Sequence, residues 1–398
     1  MMRRVAPEVR ELRSDEEWVT FARLSIDTFG GDEPAEVRAE RWRLGFDTPS
    51  LGLVVVDGPD IVGAVCATPV EHLFGGRPVW AGAPIAGCLL PEYRRARVGA
   101  ALMQGLIHRM QDAGLAISCG WPSTVSVYRR LGWEVIGREV TRAVDARLLL
   151  GLTAPGELER DPLVNRRAEA IALQRRCAAS WNGPFLRHEA WWDSHHPSKA
   201  PTGQQRYGWV EDGVLTGLVI AQRRPQRRLW VSDLWTATPN ALLGLLGFLG
   251  AQETVIDRVE FGPGAQAPND EMSGVLTRPQ MTYDAGLPWM LRFVDLEAAL
   301  AARGYPSALS CRLELEVVGR PDGEPTRLVM EVDAGRASVT SGGSGALRIE
   351  QRALTSWYAG ALAMSRAVIL GMVHGAPDDI ETLGLLAGDR SPWLPEHF

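Results

Sequence analysis

The sequence predicts an α+β fold built as three successive units, and three observations carry that expectation. Residues 14–145 read as helices, antiparallel strands, a strand feeding a helix, a strand, a short helix and a closing strand. A weaker copy of this order follows the polar, Gly/Pro-bearing stretch GLTAPGELERD at 151–161, as a diverged internal duplication would. From Trp289 onward, alternating strands and apolar helices make a third pattern. The expected units are 1–150, 151–288 and 289–398.

The elements follow in order. SDEEW offers Ser14 as N-cap with Glu17 three residues later, so a helix is expected over Ser14 to Phe29. A second helix is expected over Pro34 to Phe46. Runs rich in β-branched residues between the turn signals DGPD and GGRP predict three strands ending at Leu90. A helix near 99–114 buries the stripe Leu102, Met103, Leu106, Ile107 and Met110. AISCGW is a fifth strand, STVSVYRRLG a short helix and WEVIGREVTRAVD the closing strand. Beyond the boundary, 163–182 reads as helix, RYGWVEDGVLTGLVIAQRR as a hairpin, and the segment from RRLW to EFGP as strand, helix, strand. The third unit opens on MLRFVDLEAALAARGYP, continues through LSCRLELEVVG and TRLVMEVDAG, and closes with SPWLPEHF.

Bulk properties narrow the function. The chain has 398 residues and a formal net charge of −6, so no global basic field points to nucleic acid. Its five cysteines are odd in number and form no CxxC, which argues against a disulfide scaffold or zinc ribbon and fits a reducing cytoplasm. No signal-peptide core and no apolar run of membrane-spanning length is present, so a soluble protein with no membrane partner is expected.

Against this acidic background, LLPEYRRARVGAALMQGLIHRM concentrates Arg94, Arg95 and Arg97 just before a helix. The helix dipole alone would favour acidic residues there. The first-turn N–H groups, here those near Val98, Gly99 and Ala100, lack intrahelical partners and form a ready anion site. Guanidinium groups add donors suited to phosphate oxygens, and a pyrophosphate is the natural guest. The plain alternative is a solvated Arg-rich loop. Neither GxxxxGK[ST] nor GxGxxG is present.

The stretch resembles the acyl-CoA-binding motif of the GNAT acetyltransferases, Arg/Gln-x-x-Gly-x-Gly/Ala between a strand and a helix. Arg94 takes the first position and Gly99 the last, while Arg97 stands where the family has its middle glycine. The resemblance implies acetyl-CoA as acetyl donor, with Leu89 on a splayed strand beside the pantetheine arm. The tandem layout, MLRFVDLEAALAARGYP and SPWLPEHF resemble the Eis-type (enhanced intracellular survival) acetyltransferases over essentially the whole chain. That likeness implies a catalytic GNAT domain, a degenerate second one, a sterol-carrier-protein-like C-terminal domain and a homo-oligomer, often a hexamer.

Acetyl transfer to an amine needs a neutral nucleophile, a donor to the oxyanion and a proton for the leaving thiolate. The resemblance assigns the proton to Tyr128, in PSTVSVYRRLG, and a CoA contact to Ser123, which is also placed to cap the short helix. It assigns the base to the α-carboxylate of Phe398, and places Asp27 and Glu33 in an acceptor pocket that binds ammonium groups. Aminoglycosides, polyamines and lysine side chains are the acceptors this suggests. A non-catalytic acyl-CoA or lipid-binding protein is the alternative. Cys119 opens a ping-pong route, with direct attack preferred. His188, His195 and His196 are spaced loosely and without HExxH, so no metal is expected. WTATPNALLG in the second unit has no arginine and is expected not to bind CoA.

Overall fold

A computed structural model describes residues 7–46, 48–94, 98–265, 274–276, 280–321 and 323–396. Arg95, Arg97 and Phe398 therefore lie outside the described residues.

The first unit begins with β1 (Glu8–Glu11) and the helices α1 (Asp15–Phe29) and α2 (Ala35–Leu44). Ser14 caps α1 by accepting the Glu17 N–H, but the Glu17 carboxylate turns to Arg10 and the Arg13 N–H, so only half of the expected capping box forms. Strands β2 (Leu51–Asp57), β3 (Asp60–Phe74) and β4 (Arg77–Leu89) make an antiparallel meander. Gly75 and Gly76, at φ 59° and 78°, form its second turn, where two positive angles match the strand twist. Then come α3 (Val98–Asp112), β5 (Ile117–Gly120), α4 (Val125–Arg130) and β6 (Glu134–Asp145). Period-2 alternation sends Leu53 and Val55 to the α3 stripe, while Val54 meets Trp18, Phe21 and Trp42 of α1 and α2 on the other face.

The second unit repeats the plan with β7 (Glu157–Arg160), α5 (Pro162–Asn165), α6 (Arg167–Ala178), α7 (Glu189–His195), β8 (Gln204–Glu211), β9 (Val214–Arg224), β10 (Arg228–Thr236), α8 (Pro239–Gly250), β11 (Arg258–Phe261) and β12 (Met281–Phe293). All twelve strands form one sheet, in the order β1-β2-β3-β4-β5-β12-β6-β11-β10-β9-β8-β7. The closing strands are exchanged. β6 of the first unit pairs with β11, and β12 pairs with β5, Met290 opposite Gly120. The two swapped strands also pair with each other from Met281↔Val144 to Leu291↔Glu134. β12 thus runs unbroken across residue 288, where a boundary was expected, because its far half is needed to complete the first unit's sheet.

The third unit is a five-stranded sheet, built from Cys311–Val318, Thr326–Asp333, Arg336–Ser341, Leu347–Glu350 and Val373–His374, with helices including Leu296–Ala302 and Gln351–Tyr358. It docks on the first unit at the β3–β4 turn, where Gly304 donates to the Phe74 carbonyl at 3.1 Å. A side chain at Gly75 would strike the Gly304 carbonyl, so only glycine allows this approach. Arg352 adds a 2.6 Å ion pair to Glu134 on β6, a carboxylate it shares with Arg129 of α4. Among the described residues no helix is long and apolar enough to cross a membrane.

Candidate active site

The site begins where β4 and β5 part. They pair in parallel only at Ala81↔Ile117 and Gly82↔Ser118. Beyond that, β4 stays with β3 while β5 turns to β12. Pro84 has no N–H for a ladder, and Ala86 and Gly87 together oppose Val65 in a bulge, with Ala86 at φ 51°. The bulge bends β4 away and opens a wedge between the strands.

The residues expected to hold the donor lie around that wedge. Leu89 ends β4, and its carbonyl accepts a 3.4 Å hydrogen bond from Nε of Arg94, which is exposed. Val98 is buried at the start of α3, Gly99 is half-buried and Ala100 is exposed. A side chain at Gly99 would come 3.1 Å from the Leu89 side chain, so the glycine lets the helix N-terminus sit close to the strand end. Ser123 is exposed just before α4, but the cap position belongs to Thr124, whose side chain makes no capping bond. Capping by Ser123 is therefore not observed, because α4 starts one residue later than that role requires.

Tyr128, on α4, is half-buried and stands edge-on to Trp133 at 5.5 Å. Its hydroxyl lies 3.8 Å from where a side chain on Gly87 would begin, so the phenol reaches across to the β4 bulge. With Pro84, Gly120, Trp121 and Met290 it lines a small recess. Burial raises its pKa, keeping the proton on at neutral pH. Cys119 is fully buried, and burial pushes its thiol far up, which disfavours the thiolate that a ping-pong route needs.

A larger recess, about 760 Å³ including its open mouth, lies on the other side of β4. Trp42, Phe46, Ile85, Phe185 and Trp191 form much of its wall. Phe46, Phe185 and Trp191 also wall an adjoining recess that contains Glu71 and Trp80. The segment 183–186 is held there as an extension of the sheet. Leu73 donates to the Pro184 carbonyl and Leu186 to that of Glu71, at 2.9 and 2.8 Å. Asp27 is exposed on α1, and neither it nor Glu33 is among the lining residues. Glu33 is bound by Arg41 at 2.9 Å and Arg38 at 3.4 Å, and the Arg41 guanidinium holds its carboxyl below the usual range.

Beside this recess sits a buried ionic cluster with no counterpart among the sequence candidates. Arg187 donates to Asp233 at 2.7 Å and to Glu396 at 2.8 Å, with all three side chains buried. Its guanidinium stacks 4.0 Å from the Trp191 ring. Glu396 also accepts the Phe185 N–H at 3.0 Å, and Trp235 and His196 complete Asp233. Burial opposes charge on both acids. For Asp233, Arg187 and His196 overcome that penalty and the pKa falls; for Glu396, burial wins and the pKa rises. The cluster fixes the chain from Ser391 to Glu396 against both sheet halves. Trp393 is bonded to Asn182 and Pro263, and the Glu396 carbonyl accepts the Trp121 indole N–H at 3.0 Å, beside the donor recess. Trp393 and Leu394 are buried, and the Phe398 carboxylate lies outside the described residues. The sequence traces of the cluster were RHEAWWDSHHP, read for its histidines rather than for Arg187, and SPWLPEHF, read for its terminal carboxylate rather than for Glu396. In the fold, His188 faces Glu71 at 3.1 Å, His195 stacks on Trp191 and His196 faces Asp233.

Comparison with known proteins agrees with the fold. Residues 8–136 match an acetyltransferase (GNAT) domain family, residues 183–293 a second acetyltransferase (GNAT) domain family, and residues 296–395 the sterol carrier protein domain. No curated protein matches the chain. A GCN5-related N-acetyltransferase from Anabaena variabilis ATCC 29413 superimposes with a TM-score of 0.88 at 22% identity, covering 98% of this chain and 100% of that one. A GCN5-related N-acetyltransferase from Kribbella flavida gives 0.81 at 22% identity, with 98% and 99% covered. Eis1 from Mycobacterium abscessus gives 0.78 at 21% identity, with 99% and 100% covered. These structural likenesses speak for the fold, and the sequence families for the chemistry. With two acetyltransferase (GNAT) domains and a sterol-carrier-protein domain, the chain is an acetyl-CoA-dependent N-acetyltransferase, and it shares its fold with Eis1 from Mycobacterium abscessus.

Proposed function

We propose that the first unit transfers acetyl from acetyl-CoA to a primary amine by direct attack on the thioester, with Tyr128 as the acid. The observation that carries this reading is the meeting of two recesses at one point of β4. Pro84 lines the recess of Tyr128, and its neighbour Ile85 lines the larger one. A thioester in the β4–β5 wedge and an amine in the larger recess would approach across that residue pair.

The neutral amine attacks the carbonyl carbon, forming the C–N bond and a tetrahedral oxyanion. Collapse breaks the C–S bond, and Tyr128 gives its proton to the departing sulfur. The ammonium proton leaves through water. The Phe398 carboxylate is proposed as its steering anion, a role supported by the chain's fixed path as far as Glu396. Arg94, Arg95, Arg97 and the N–H groups near Val98, Gly99 and Ala100 are proposed for the pyrophosphate, and Leu89 and Ser123 for the remainder of CoA. Aminoglycosides, polyamines and lysine side chains all offer the required amine.

A thiol-release assay over a panel of amines tests the reading. Turnover with acetyl-CoA supports it. CoA binding without turnover on any amine would instead mean a non-catalytic acyl-CoA-binding protein.

A further inference from the structure

We infer that Arg352, in the third unit, is a positioning residue for the reaction of the first: it sets the Tyr128 phenol through Glu134 and Arg129. This rests on the reading of Tyr128 as the acid and adds to it the part played by a distant unit. Three observations carry it.

The helix that bears the phenol is too short to hold itself. α4 has six residues, and its N-cap Thr124 makes no side-chain bond. A helix of that length is unstable in water unless its surroundings fix it. Bonds that fix α4 gather at its C-terminal end. Leu131 and Trp133 both donate to the Tyr128 carbonyl, at 3.0 and 3.2 Å, and the next residue, Arg129, donates through Nε to Glu134 at 3.1 Å.

Glu134 is the point where these bonds meet the third unit. Its carboxylate is buried at the start of β6, and it accepts the Val135 N–H at 2.9 Å. Burial opposes its charge, but Arg129 and Arg352 overcome that penalty and keep the carboxyl ionised. The Nε of Arg352 donates at 2.6 Å to Oε2, the same oxygen that takes the Nε of Arg129. The carboxylate orientation that aims Arg129 is therefore the one that Arg352 holds.

The turn between α4 and β6 is packed from far along the chain as well. Gly132 has φ 94°, and a side chain there would strike Pro321 of the third unit and the Arg292 guanidinium of β12. Arg292 also donates to the Leu131 carbonyl. Trp133, whose ring stands edge-on to the phenol, ends this turn. A displacement of about 1 Å at a reacting group can cost ~10²-fold in rate, so small changes in this packing reach the chemistry.

The test is steady-state thiol release by the full-length protein, with acetyl-CoA and the fastest of kanamycin, spermidine and Nα-acetyl-lysine as acceptor. Arg352→Met should lower kcat ~10-fold with the KM for acetyl-CoA within ~2-fold of the parent. In a Tyr128→Phe background the same substitution should change kcat less than ~2-fold, because no phenolic proton is left to position. Glu134→Gln, of the same shape without the charge, should lower kcat at least as far and lose its effect in the same background. It keeps the test open should Arg352→Met fail to fold. An unchanged kcat, an equal loss in both backgrounds, or a raised KM for acetyl-CoA with kcat kept overturns the inference and leaves Tyr128 as the acid. An unchanged kcat in Tyr128→Phe itself, or no release with any acceptor, overturns the acid assignment and this inference with it.

Discussion

The two halves of the large sheet share a plan and differ at two small places. In the first unit, α3 follows Arg94 and opens with Val98 and Gly99, leaving its N-terminus facing the end of β4. In the second, the corresponding helix α8 is closed by its own chain. Thr238 accepts the Ala241 N–H at 3.0 Å, and the Glu211 carboxylate takes hydrogen bonds from Thr238 and Asn240. An anion already stands where a pyrophosphate would bind, and it would repel one. The strand gap differs likewise. β10 and β11 pair in parallel from Arg228↔Arg258 to Val231↔Phe261, and past that point Trp393 rests 5.1 Å from Trp235 and donates to the Pro263 carbonyl. The chain fills the second wedge with its own tryptophan, whereas the first wedge keeps a recess beside Tyr128. The two halves thus share the sheet and differ in what stands at the helix N-terminus and in the strand gap.

The largest effect should come from the open half. Tyr128→Phe is expected to lower kcat by roughly 10²–10⁴-fold with the KM for acetyl-CoA nearly unchanged, as steady-state kinetics would show. If KM moves instead, Tyr128 is part of the cradle and not the acid. In the closed half, Arg187→Ala leaves Asp233 and Glu396 buried without their cation, and should cost about 3–5 kcal/mol in denaturant unfolding. A loss under about 1 kcal/mol would mean that the cluster is not what holds the C-terminal segment.

Two smaller effects sharpen the contrast. Arg94→Ala should raise the KM for acetyl-CoA about tenfold, the scale of one charge-assisted hydrogen bond, with kcat little changed. His72 lies fully buried on β3, and burial lowers its pKa to about 4. The folded state therefore resists a proton that the unfolded chain binds below about 6.5. Stability should fall as pH drops through that window, by about 2 kcal/mol at pH 5 from this residue. A His72→Gln variant should flatten the slope in urea melts; an unchanged slope would place the acid sensitivity elsewhere. The smallest expected change is none at all. Glu211→Gln should leave calorimetric CoA stoichiometry at one per chain, because removing a charge does not supply the missing arginines; a second site would show that Glu211 alone had closed this half.

Local patterns were legible because local physics makes them. The α3 stripe is a 3.6-residue period, and its five apolar residues are buried as read. The Ser14 cap and the DGPD and GGRP turns each rest on residues close together in the chain, and the internal duplication shows as a repeat of such local patterns. The wall of the larger recess was not legible. Glu33 is met by Arg38 and Arg41 of the helix that directly follows it, and charge in a sequence carries no record of its partner.

From sequence alone came the α+β class, the GNAT-like motif with Arg94 and Gly99, and the phenol at Tyr128. Tertiary structure alone decided the exchange of β6 and β12, the convergence of Arg187, Asp233 and Glu396, and the apolar wall of Phe46, Phe185 and Trp191. The reason is separation along the chain. Periodicity and capping act within a few residues, whereas strand partners and buried ion pairs are selected by which distant segments together exclude water, and no single segment encodes that choice.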